Sequence, residues 1–350
     1  MKTALTFVVQ LGYKVLWFFD WLSNFPQKII SNVIKGIVVA AVLFFSIVPF
    51  YKSISSIKTP IRRQFTDGLV YNIYGAPKNN SSLFTSVLGA ADVAQNVPTL
   101  ANKIAFPQIT SKSVLVIDLT TGKTLYKLNS TAKLAPASTT KLMTALVSLD
   151  LYKLDDLLEV PEVCTKIETE KAGFAPLAHV EVKDLLYALL VTSAGDAACT
   201  LATVKVPYTN FVDLMNKKAK NFNMNSTSFT NPVGLDAAES AHYSTAEDMA
   251  TLAATAIKND LIRKIVATRE YDIPIQHPQA TIHVMNTNKL LWDVPNSVGI
   301  KTGTTQEAGE VLIYQYKDDL KDLMIIVMGS QDRFFDTQAI LKWILDSYSW

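Results

Sequence analysis

Histidine and cysteine are scarce in this sequence, at four and two of 350 residues. Cys164 and Cys199 show no metal-ligand spacing, and four histidines cannot supply a nitrogen-rich cluster, so no metal site is expected. The cysteines read as two small buried hydrophobes, or as a disulfide if their domain lies in an oxidising compartment. An excess of charge is missing too. The 33 Lys and Arg nearly balance the 31 Asp and Glu, leaving a net charge of +2. That gives no electrostatic footprint for nucleic acid. Internal repeats and low-complexity tracts are absent.

Apolar residues, by contrast, are plentiful: 49% are hydrophobic and only 18% charged. Part of the excess sits near the N-terminus. Residues 36–51 read GIVVAAVLFFSIVPFY without a charge. Extended back to residue 29, the run reaches the roughly 20 residues needed to cross a bilayer core of about 30 Å. Lys35, near one end, would snorkel to the interface. A cleaved signal peptide is the rival, but the run starts late and no clear small-x-small site follows it. The expectation is an uncleaved transmembrane anchor at 29–51. Residues 1–28 then form a cytoplasmic or interfacial segment. Lysines and arginines flank both ends of the run, so charge bias does not orient it. Residues 52–103, with a Pro/Asn/Ser-rich patch, read as a stalk or linker.

Patterning sharpens over 104–350, the expected catalytic domain. Ser113-Val-Leu-Val-Ile-Asp118 and Thr124-Leu-Tyr-Lys-Leu128 read as strands around a Thr121-Gly-Lys turn. After Pro136, an apolar stretch over 138–151 reads as a helix. Helices are also expected over 184–204, 245–257 and 336–348, and strands over 311–316 and 323–328. Strands at both ends with helices between predict an α+β fold, an antiparallel sheet built from both chain ends with a helical insertion.

Ser138-Thr-Thr-Lys141 places a hydroxyl and an amine on one helical face. A serine attacks well only when a neighbouring base takes its proton, and a desolvated lysine can be that base. A helix start adds N–H groups for a developing oxyanion. The pattern alone is weak, because Ser55-Ser-Ile-Lys58 and Ser130-Thr-Ala-Lys133 repeat it. Two further elements single out Ser138. Lys301-Thr302-Gly303-Thr304 precedes a strand, where a lysine and a hydroxyl can grip a carboxylate and a glycine admits a substrate backbone. Ser193-Ala-Gly195-Asp196 interrupts a helical region and offers a second hydroxyl for proton transfer.

The ordered set Ser-x-x-Lys, Ser-x-x, Lys-Thr-Gly is that of serine β-lactamases and penicillin-binding proteins. From about Ile104 onward the sequence resembles the low-molecular-mass penicillin-binding D-alanyl-D-alanine carboxypeptidases. The resemblance is carried by Pro136-Ala-Ser-Thr-Thr-Lys-Leu-Met-Thr-Ala145, Asp184-Leu-Leu-Tyr187 leading to Ser193, and Asn231-Pro-Val-Gly-Leu-Asp236. His242-Tyr-Ser-Thr-Ala-Glu-Asp-Met249, Lys301-Thr-Gly-Thr-Thr305 and Ala308-Gly309 complete it.

The resemblance implies a β-lactamase/transpeptidase-like fold with a helical subdomain and no cofactor. It implies an acyl-enzyme on Ser138, with Lys141 as general base and Ser193 moving a proton to the leaving amine. Lys301, Thr302 and Gly303 would bind the peptide, and the N–H groups of Ser138 and Thr304 would form an oxyanion hole. Arg333 would pair with the substrate carboxylate or be an exposed structural arginine. Asp236 and His242 are expected to be structural. The implied partners are peptidoglycan stem peptides ending in D-Ala-D-Ala, and β-lactams as covalent inhibitors. That substrate puts the catalytic domain outside a bacterial cell membrane, on a single-pass anchor. One departure stands out. The family's middle motif usually reads Ser-x-Asn, and its third position here is Gly195. A D,D-endopeptidase on the same fold, or a weakened penicillin- or wall-binding homologue, are the alternatives.

Overall fold

The structure, a computed structural model, describes residues 97–350. The 1–28 segment, the 29–51 anchor and most of the 52–103 stalk lie outside the described residues. Among those described, no helix is long and apolar enough to cross a membrane.

The chain runs through β1 (Thr99–Leu100), β2 (Ser113–Asp118) and β3 (Thr124–Leu128) before a short 3-10 turn at Ala137–Thr140. Helix α1 (Lys141–Leu151), β4 (Leu157–Glu159), α2 (Glu162–Thr165) and β5 (His179–Glu181) follow. Next come the helices α3 (Val182–Val191), α4 (Gly195–Thr203), α5 (Tyr208–Asn221), α6 (Ala246–Ala256) and α7 (Asp260–Val266). A hairpin of β6 (Glu270–Ile275) and β7 (Ala280–Met285) leads to α8 (Leu290–Asp293). The strands β8 (Ser297–Thr305), β9 (Gly309–Lys317) and β10 (Asp322–Ser330) precede α9 (Arg333–Ser347) and β11 (Tyr348–Ser349).

Five strands form the main sheet in the order β3-β2-β10-β9-β8. Every neighbouring pair is antiparallel, so the expected sheet from both chain ends is present. Side chains alternate between its faces, as the period of two requires. Leu115, Val311, Ile313, Met324, Ile326 and Met328 join the core under the helical region. Val114, Val116, Leu312, Tyr314, Leu323, Ile325 and Val327 join a second core under α9. Both faces are therefore covered, and among the described residues β8 is an edge strand.

The break at Ser193 divides the helical stretch over 184–204 into two helices, with Ser193 at a left-handed φ of 64°. Strand pairing begins at Thr99, inside the segment read as linker: Thr99 pairs with Ser349 and Leu100 with Tyr348. The cysteines are not separate hydrophobes. Helices α2 and α4 bring Cys164 and Cys199 together in a disulfide, with Cα atoms 5.4 Å apart.

Candidate active site

Ser138 lies in the 3-10 turn at the head of α1. The preceding Ala137 has a φ of 49°, a conformation that costs an L-residue roughly 1–3 kcal/mol and must be imposed by its surroundings. Two glycines make room for it. A Cβ on Gly303 of β8 would lie 2.8 Å from Ser138 N and from Ala137 Cβ. A Cβ on Gly234 would lie 2.0 Å from the Ala137 carbonyl oxygen. The glycine of the Lys-Thr-Gly segment thus admits the nucleophile's own turn, where the sequence reading expected substrate backbone.

Buried Lys141 follows one helical turn later, with its Nζ 2.8 Å from Ser138 Oγ. It also donates to the Val233 carbonyl at 2.7 Å. Burial lowers its pKa to about 7, against a smaller opposing pull from Glu170 and Asp196. Near neutrality this amine can therefore carry a free lone pair, which a surface lysine cannot. The Val233 segment is shaped by Asn231, whose Oδ1 accepts from the N–H groups of Val233, Gly234 and Leu235.

Lys301 is buried on β8, and its Nζ donates to the Thr302 carbonyl at 3.1 Å. Its pKa is held well below the ordinary lysine value, first by burial and then by repulsion from Lys141 and Arg333. Thr302 shares a hydrogen bond with Thr287. Arg333 is half-buried and docked against the end of β8. Its Nη1 donates to the Gly303 carbonyl at 2.9 Å and to Thr304 Oγ1. Among the described residues no carboxylate forms an ion pair with Lys301, whereas Arg333 Nη1 lies 4.0 Å from Glu310 Oε1. Ser193 is buried, and among the described residues its Oγ has no hydrogen-bond partner.

Asp236 and His242 hold the frame. Asp236 accepts from the Thr305 hydroxyl and from Glu307 N–H. His242 Nδ1 accepts from Thr230 N–H at 3.0 Å, so the ring proton lies on Nε2, 2.8 Å from Thr140 Oγ1. That contact pins the residue before Lys141. A groove of about 800 Å³ runs past Ser138, lined by residues 166–171, by Val233 to Asp236 and by Thr304 to Gln306. The 166–171 wall had no sequence signal, since nothing local ties it to Ser138.

The chain matches the family described as D-alanyl-D-alanine carboxypeptidase over residues 100–332. It is similar to the D-alanyl-D-alanine carboxypeptidase DacF of Bacillus subtilis, with 34% identity over 63% of this chain and 57% of that protein. To the D-alanyl-D-alanine endopeptidase of Escherichia coli it is 32% identical, over 77% of this chain and 89% of that one. It thus spans little more than half the length of the first relative and most of the second. Among solved structures, the Streptomyces K15 DD-transpeptidase superposes with a TM-score of 0.65 at 26% identity, over 69% of this chain and 100% of that chain. An evolved penicillin-binding protein homolog from Mycobacterium tuberculosis gives a TM-score of 0.66 at 27% identity, over 71% and 95%. This chain belongs to the D-alanyl-D-alanine carboxypeptidase family of serine peptidases.

Proposed function

We propose that the chain is a serine-type D-Ala-D-Ala carboxypeptidase that trims peptidoglycan stem peptides through an acyl-enzyme on Ser138. The observation that carries this reading is the buried Lys141 amine, 2.8 Å from Ser138 Oγ with its pKa drawn down to about 7. Lys141 takes the Ser138 proton as Oγ attacks the carbonyl between the two D-alanines. The oxyanion faces the N–H groups of Ser138 and Thr304. As the C–N bond breaks, the leaving amine takes a proton through Ser193. Water then cleaves the ester. Lys301, Thr302 and Arg333 hold the terminal carboxylate, and Gly303 keeps the strand close to the nucleophile. A β-lactam acylates the same serine and leaves an adduct.

The same reading places the domain outside the bacterial cell membrane, with residues 29–51 as a single-pass anchor. The resemblance to a D-alanyl-D-alanine endopeptidase over most of its length supports a second reading, cleavage of cross-linked peptides by the same acyl-enzyme. Incubating the chain with a D-Ala-D-Ala peptide and with a cross-linked dimer tests both. Release of D-alanine by wild type and its loss in Ser138→Ala is the expected result. Equal release by Ser138→Ala would sink the proposal.

A further inference from the structure

One wall of the groove beside Ser138, residues 166–171, is tied to α4 by three anchors. Cys164, in α2, is bonded to Cys199 on α4. Asp196, in the first turn of α4, accepts from the N–H groups of Ala172, Gly173 and Phe174 at 3.0, 2.9 and 3.3 Å. Between these anchors, Gly195 N–H donates to the Glu170 carbonyl at 2.7 Å. The wall is thereby docked on the start of α4, two residues beyond Ser193.

The contact at Gly195 leaves no room for a side chain. A Cβ there would lie 1.9 Å from Thr169 Oγ1 and 3.3 Å from the Glu170 carbonyl oxygen. Gly195 does not have a positive φ, so its backbone does not demand glycine. What demands it is Thr169. The other wall residues are charged (Lys166, Glu168, Glu170 and Lys171) or apolar (Ile167), so Thr169 is its one neutral polar side chain. Its hydroxyl donates to the Glu170 carbonyl at 3.0 Å. With the proton so placed, the oxygen keeps its lone pairs for an incoming N–H. The opposite wall is the end of β8, an edge strand able to line up an extended peptide.

We infer that Thr169 is a substrate-binding residue whose hydroxyl oxygen accepts an amide N–H of the peptide lying between residues 166–171 and β8, in the space a side chain at position 195 would otherwise take. This rests on the reading of Ser138 as the acylated nucleophile. Position 195 and position 169 therefore compete for one place, and only one of them can carry the polar group. The docking described above holds the Thr169 oxygen in place before substrate arrives, which limits the ordering cost of binding.

The test uses the full chain, a D-Ala-D-Ala peptide and a fluorescent penicillin. Thr169→Val should raise KM about fivefold to tenfold with little change in kcat, the size expected for one neutral hydrogen bond. Thr169→Ser, which keeps the hydroxyl, should stay near wild type. Gly195→Asn alone should slow penicillin acylation at least tenfold, by pushing the wall away. Placed on a Thr169→Gly background, the same substitution should speed acylation relative to that background. An unchanged KM in Thr169→Val would overturn the inference, as would Gly195→Asn slowing acylation equally in both backgrounds. Labelling of wild type and Ser138→Ala alike would overturn the underlying reading with it, whereas Ser138-dependent labelling beside an unchanged Thr169→Val overturns this inference alone.

Discussion

Lys141 Nζ and Ser138 Oγ stand 2.8 Å apart inside a site where the lysine is fully buried. Burial disfavours the ammonium form and brings the pKa down to about 7. A lysine accepts a proton only when neutral, so activity must be lost as pH falls below that value. Penicillin acylation of Ser138, followed by stopped-flow from pH 5 to 9, should rise and level off with a midpoint near 7. Lys141→Arg keeps the charge and cannot serve as the base. It should slow acylation about a thousandfold. A flat pH profile in wild type would remove Lys141 from that role.

Gly303 is where β8 meets the nucleophile turn. The Cβ of an alanine there would sit 2.8 Å from Ser138 N, well inside van der Waals contact, with backbone on the far side that cannot swing away. Gly303→Ala should destabilise the domain by about 1–3 kcal/mol, the usual cost of overpacking. It should cut acylation more than its stability loss explains, because Ser138 itself is displaced. Urea unfolding beside penicillin-labelling rates separates the two effects. Wild-type labelling in the variant would show that the turn can relax without harm.

The Cys164–Cys199 disulfide closes a loop with a sequence separation of 35. Loop-closure entropy for a span of that size stabilises a fold by about 4 kcal/mol. The double variant Cys164→Ser with Cys199→Ser should therefore melt roughly 8–15 °C lower. Its loss frees one anchor of the 166–171 wall, so KM for peptide should rise as well. Thiol titration of the unfolded chain before and after reduction checks the bond directly. Free thiols before reduction would contradict it.

Legibility from sequence followed the range of the interactions. The strands Ser113–Asp118 and Thr124–Leu128 were readable because a short apolar, β-branched run and a Thr-Gly-Lys turn are local signals. Ser138 and Lys141 stood out from two other Ser-x-x-Lys matches only through the company of Ser193 and Lys301-Thr-Gly, and the fold brings Lys141 Nζ to 2.8 Å from Ser138 Oγ. Helix α5 confines its buried residues to one stripe, Phe211, Met215 and Ala219 at four-residue spacing, on an otherwise polar segment, and the β6–β7 hairpin mixes Pro274 and charged residues into its strands. The disulfide and the meeting of Thr169 with Gly195 depend on α4 packing against a segment some 30 residues earlier. No pattern within either segment encodes that meeting. Gly195 read alone marked a missing side chain, and only the packed structure shows what fills its place.

His242 gives the fold a pH dependence separate from catalysis. The ring is buried, accepts from Thr230 N–H and faces Thr140 Oγ1. Burial lowers its pKa from 6.5 to about 4. Between those values the unfolded chain takes up a proton that the folded chain refuses. Stability from this group is therefore complete above about pH 6.5 and drains away as pH falls toward 4. At pH 4.5 the loss should be roughly 2–3 kcal/mol. His242→Gln can still accept from Thr230 and donate to Thr140, yet does not titrate. Carboxylates such as Asp336, whose pKa is lowered by hydrogen bonds from Ser111, Ser330 and Thr110 against the opposing effect of burial, weaken both proteins alike in acid. The difference between the two proteins then isolates the histidine. Urea unfolding at pH 7 and pH 4.5 should show the wild type losing that much more stability than His242→Gln. Parallel losses would mean that the ring admits a proton without breaking its contacts.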